Sequence, residues 1–139
     1  MCPQLSQKFC QKCGAATITA CPSCQASIRG DYDIPGVITI GYKYKVPSYC
    51  YSCGKPYPWT QAAIDATKAL IEEEQDLTKL QQSQLVEILP DIITETPKTN
   101  LAAARFKKAL LAVGKFTAEG LRQFVIDFGC ELVKRELKF

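Results

Sequence analysis

Apolar residues follow two different rules on either side of Trp59. Beyond it they recur every three or four positions, the period of a helix with one buried face. Thr60 is placed to cap a helix through QAAIDATKALIEEEQ, with Ile64, Thr67 and Ile71 along one side. Thr78 predicts the start of a second helix, because Gln81 three residues on completes a capping-box pattern. Leu80, Leu85, Ile88 and Leu89 form its apolar side, and Pro90, which has no N–H to give, is expected to end it. A third helix is predicted from about Asn100 to Val113, stopped or bent at Gly114. Thr117 then caps a last helix on which Leu121, Phe124, Val125, Phe128, Leu132 and Leu137 align. Residues 60–139 are therefore expected to form an α-helical region of about four helices.

Residues 1–59 lack any sustained helical period and are rich in Cys, Gly, Pro and Tyr. From Val37 to Val46, β-branched residues precede an alternation of Tyr42 and Tyr44 with Lys43 and Lys45. That pattern predicts a strand, or a hairpin turning at Gly41, bounded by Pro35-Gly36 and Pro47. A module of short strands and turns this small cannot bury an adequate core unaided, and a metal is the usual remedy.

Eight cysteines in 139 residues supply the candidate ligands. Six form three Cys-x-x-Cys pairs: Cys10/Cys13, Cys21/Cys24 and Cys50/Cys53. Two intervening residues let one tight turn present both sulfurs to the same ion. Gly14 and Gly54 follow two of the pairs, where the turn needs a residue tolerant of positive φ. Structural zinc takes four such sulfurs at about 2.3 Å, and the chain has no histidine to substitute for one. Between Cys24 and Cys50 lie 25 residues, the spacing of a zinc ribbon, whereas only seven separate Cys13 from Cys21. The favoured site is Cys21, Cys24, Cys50 and Cys53; the alternative joins Cys10/Cys13 to Cys50/Cys53. The remaining pair, Cys10/Cys13, is expected to form a second or degenerate site with Cys2 as a third ligand. Cys130, on the last helix, is expected to be plain apolar packing. The fold class expected is thus a small zinc-stabilised β module over 1–59, a zinc ribbon or a degenerate double ribbon, followed by the helices.

The segments KFCQKCGA, CPSCQASIRG, IPGV and YCYSCGKPYPWT, together with TPKTNLAAARFKKAL near the C-terminus, resemble an uncharacterised bacterial family of small zinc-ribbon proteins, a domain of unknown function. PYPWT after a cysteine turn is the most specific of these. The resemblance implies two zinc sites and a helical tail, with no established activity. The family pattern begins with a further Cys/His pair upstream of the first Cys-x-x-Cys, and on that resemblance the sequence is expected either to be shortened or to carry a degenerate first site.

Charge and the remaining motifs narrow the function classes. Residues 1–60 hold six basic and two acidic side chains, 61–97 two and eight, and 98–139 nine and four. This basic, acidic, basic order lets parts of the chain attract one another. The N-terminus MCPQLSQKFC has no signal-peptide run, and no apolar stretch reaches the length of a membrane span. The expected location is the cytoplasm. No paired carboxylates, phosphate-cradling glycine loop or histidine suggests catalysis, and Cys-x-x-Cys pairs followed by Gly argue against a dithiol oxidoreductase. The reading is a non-catalytic zinc-binding adaptor, with a protein partner or self-association through the C-terminal helices. The alternative is a nucleic-acid-binding ribbon using Arg29, Tyr42, Lys43, Tyr44 and Lys45, since aromatic and basic side chains together stack bases and track phosphates. Arg105, Lys107 and Lys108 form a further basic cluster, which a solvated helix face would also explain.

Overall fold

A computed structural model describes residues 8–11, 14–28, 35–38, 40–41 and 44–138. The chain divides into two compact units, 1–57 and 58–139.

Among the described residues the second unit is built from six helices. Helix α1 (Pro58–Glu72) begins with proline, whose fixed φ suits a first helical position and whose missing N–H costs nothing there. Thr60 therefore lies inside the helix and does not cap it; its hydroxyl is buried without a hydrogen-bond partner. Helix α2 (Lys79–Glu87) carries the expected capping box: Gln81 N–H donates to Thr78 Oγ1 at 3.2 Å, and Thr78 N–H to Gln81 Oε1 at 2.9 Å. Pro90 does not simply end this helix. It stands in the first turn of a short α3 (Leu89–Ile93), where a proline is tolerated, and α3 buries Leu89, Ile92 and Ile93.

Thr99 opens α4 (Thr99–Ala112) and is itself fully buried, its hydroxyl 3.1 Å from the Asp91 carbonyl, 3.0 Å from that of Thr94, and accepting from Thr96 N–H at 2.8 Å. That knot ties the Thr96-Pro97 loop to α3. Helix α5 (Lys115–Phe128) starts after Gly114, whose N–H meets the Glu74 carboxylate at 3.3 Å. Thr117 is a buried residue of its first turn, not its cap. The predicted last helix is in fact two, α5 and α6 (Glu131–Leu137), parted at Gly129-Cys130, where Cys130 N–H donates to the Ile92 carbonyl at 2.9 Å.

Helix α1 packs on α5 and α2, and α4 packs on α6 and α3. A Cβ at Gly120 would overlap the end of the Leu70 side chain of α1, which would have to move to admit it. Ile71, Leu89, Ile92, Phe106, Leu121 and Val125 form a core with no exposure. Phe124 and Phe128 stack with ring centroids 5.8 Å apart. No described helix is long and apolar enough to cross a membrane.

The first unit has no strand among its described residues, only three isolated antiparallel bridges. The strand expected over 37–46 is absent from the part that is described: Val37, Ile38 and Val46 are mostly exposed, and Gly41 bends the chain at φ 81°. Exposed apolar side chains give a strand here no face to pack. Thr39, Tyr42 and Lys43 of that expectation lie outside the described residues.

Candidate metal centre

Each described cysteine turn is closed by the same three backbone hydrogen bonds. Cys10, Cys21 and Cys50 each donate N–H to the carbonyl five residues on (Ala15, Ala26, Lys55) at 2.8–2.9 Å. Each accepts at its own carbonyl from the residue four on (Gly14, Gln25, Gly54) at 2.8–3.0 Å. Outside these, Thr17, Ile28 and Tyr57 donate back to Lys8, Thr19 and Ser48 at 2.9–3.0 Å. The bridges Phe9 with Ala16, Ala20 with Ser27 and Tyr49 with Pro56 stand at the same register. The residue four after the first cysteine must adopt positive φ, which Gly14 and Gly54 do at 74° and 73°. Gln25 does the same at 64°. Its role was hidden in CPSCQ because the glycine rule passes over it; the register of the pair was the signal that locates it.

Two of these turns meet. The sulfurs of Cys21, Cys24, Cys50 and Cys53 all lie within 4.8 Å of one another. Cys21 to Cys53 is 3.7 Å and Cys24 to Cys50 is 3.6 Å. A tetrahedron with metal–sulfur bonds of about 2.3 Å has edges of about 3.8 Å, whereas a disulfide would draw two sulfurs to about 2.05 Å. The arrangement is that of four free thiols facing a common centre. Cys21 and Cys50, the first of each pair, are buried, and Cys24 and Cys53 are exposed.

The same turns favour the anion at the first sulfur of each pair, Cys21 and Cys50. The backbone N–H of Cys24, ahead of that of Ser23, holds the Cys21 thiol below its ordinary value despite burial. The Cys53 N–H brings Cys50 down to about 6, helped by Ser52 N–H at 3.4 Å from the sulfur. Cys53 gains from the Lys55 N–H, but burial and the three neighbouring sulfurs outweigh it and push Cys53 up to about 11. Four thiolates this close repel one another unless a cation sits among them. The set therefore fits one soft divalent ion, with zinc the natural candidate.

Tyr57, only 1% exposed, packs beside this centre, and burial followed by the charge of Cys50 raises its phenol to about 12. It belongs to the small core around the sulfurs. The chain also matches, over residues 1–137, the model of a family described as "Uncharacterized protein conserved in bacteria (DUF2321)". It belongs to that family. No curated protein and no solved structure matches it.

The other candidate residues of this DUF2321 member fall differently. Cys10 is half-buried in its own turn, apart from the four-sulfur cluster. Cys2 and Cys13 lie outside the described residues, as do Arg29, Tyr42 and Lys43. Of the candidate nucleic-acid residues, Tyr44 is half-buried and Lys45 exposed. Cys130 is buried at the start of α6, in keeping with a packing role.

Proposed function

We propose that the chain is a non-catalytic zinc-binding adaptor of the cytoplasm, which uses a metal-fixed surface and a helical unit to hold other macromolecules. The observation that carries this reading is the all-sulfur donor set, its four sulfurs within 4.8 Å of one another and two of the separations at tetrahedral edge length. Four protein ligands close a zinc site, whereas catalytic zinc keeps a position for water or substrate. On this reading the ion is structural, and the facing turns of Cys21/Cys24 and Cys50/Cys53 are the two ends of a zinc ribbon. Cys10 sits in a turn with the same hydrogen bonds, which supports a second ion on Cys10/Cys13. Native mass spectrometry tests both points: one zinc per chain is expected from the four-cysteine site, two if the first pair is loaded, and none overturns the reading.

The adaptor role is tested by capture from lysate with the zinc-loaded chain. A defined protein retained at high salt supports it. The second reading, a nucleic-acid-binding ribbon, draws on exposed Lys45 beside Tyr44, with Arg29, Tyr42 and Lys43 as further contacts. Phosphate-driven binding should fall roughly 10³-fold or more between 50 and 200 mM salt if six or more phosphates are engaged. Retention of nucleic acid alone, with that salt dependence, favours the second reading.

A further inference from the structure

Between α2 and α4 lies a half-open cleft of about 310 Å³. Its floor is apolar, made by Leu77, Leu85 and Ile88 against the alanines of α4. Its α4 edge carries Arg105 and Lys108, its α2 edge only the neutral Gln81 and Gln84, and no carboxylate lines it. Neither cation forms an ion pair among the described residues. Leu101, one turn before Arg105 and on the same face of α4, is 55% exposed, so apolar surface runs on from the cleft along that helix.

We propose that this cleft is a docking groove for an acidic amphipathic helix of a partner protein. The proposal rests on the adaptor reading and names the chemistry of its partner. Gln81 to Ile88 and Arg105 to Ala112 each span about 10 Å of helix, so the groove takes about two turns of a helix laid along it. Leucine-sized anchors at i and i+3 or i+4 fill the floor. Glutamates beside them meet Arg105 and Lys108, which the acids among the described residues leave unpaired. A small amphiphile of matching volume would fill the cleft but leave Leu101, further along the same face of α4, in water, and for that reason a helix is the better occupant.

The test is an NMR titration of the intact, zinc-loaded chain with a synthetic 16-residue helical peptide carrying one leucine stripe flanked by glutamates. Its control has every glutamate replaced by lysine. The acidic peptide is expected to shift the amides of Gln84, Leu85, Arg105 and Lys108, and R105E/K108E to weaken it at least tenfold with the circular dichroism unchanged. If the double variant loses helical signal, Lys108→Glu alone serves, with a loss of about threefold expected. No shifts in the cleft at millimolar peptide, equal binding of the two peptides, or an unchanged affinity in the variant overturns the proposal. So does binding of decanoate in the cleft without the peptide, which would make it a small-ligand site. The lysate capture separates the two failures. A partner kept equally by wild type and R105E/K108E leaves the adaptor reading standing without the groove, and no protein captured removes the adaptor reading itself.

Discussion

In the helical unit Phe106, Leu121, Val125 and Val133 are fully shut off from water, whereas in the cysteine unit Val37, Ile38, Ile40 and Val46 stand 53–96% exposed. Among the described residues of the cysteine unit, only Cys21, Cys50 and Tyr57 are buried. One unit is held by apolar area removed from water, from many side chains contributed by six helices. The other is dense at a single point, where four sulfurs and one tyrosine ring meet. Two routes to stability in one chain ought to fail independently, and each can be attacked separately.

Removing the metal is the largest expected perturbation. Structural zinc supplies apparent binding free energies of about 10–16 kcal/mol in small metal-folded peptides. A strong chelator is therefore expected to collapse the NMR signals of the cysteine unit, including Gly54 and Tyr57, while far-UV circular dichroism keeps the helical signal. Loss of the helices at the same chelator concentration would mean that the two units share one folding transition. Phe106→Ala attacks the other side. The ring has no exposure, and emptying such a site costs about 3–5 kcal/mol. Thermal unfolding of the helices should fall accordingly, with zinc stoichiometry by mass spectrometry unchanged.

The same contrast explains what was legible in the sequence. Helical periodicity located most of the core face of the second unit because burial itself imposes the period: Ile71, Leu85, Leu121 and Phe124 are all inside, although Leu80, expected on the same side as Leu85, is 68% exposed. The Thr78 cap was legible for a local reason, since both hydrogen bonds lie within four residues. Caps argued from a lone threonine failed. Thr60 and Thr117 were claimed by burial within their helices, which a cap pattern does not register. The break at Gly129-Cys130 was missed because Phe128 and Leu132 keep the helical spacing across it. In the cysteine unit the ligand grouping followed from spacing alone. The strand expected over 37–46 is not seen among its described residues, because strand preference is packing preference, and Ile38 and Ile40 are 89% and 96% exposed.

The finest test compares two turns within the metal centre. Gly54 and Gln25 occupy the same place in turns with the same hydrogen bonds, both at positive φ. A Cβ at Gly54 would meet nothing within 4 Å, so Gly54→Ala costs the left-handed backbone penalty of about 1–2 kcal/mol, less the roughly 0.4–1 kcal/mol by which alanine restricts the unfolded chain. Every 1.4 kcal/mol is about tenfold in an equilibrium constant. Zinc affinity, read by competition with a chromophoric chelator, should weaken by up to about fifteenfold. Gln25→Gly runs the other way through the same two terms. It relieves the backbone penalty but gives the unfolded chain the extra freedom of glycine, worth roughly 0.4–1 kcal/mol. The expected tightening is likewise no more than about fifteenfold. If Gln25→Gly instead weakens zinc, the glutamine side chain itself must serve the turn, and the equivalence of the two turns stops at their backbones.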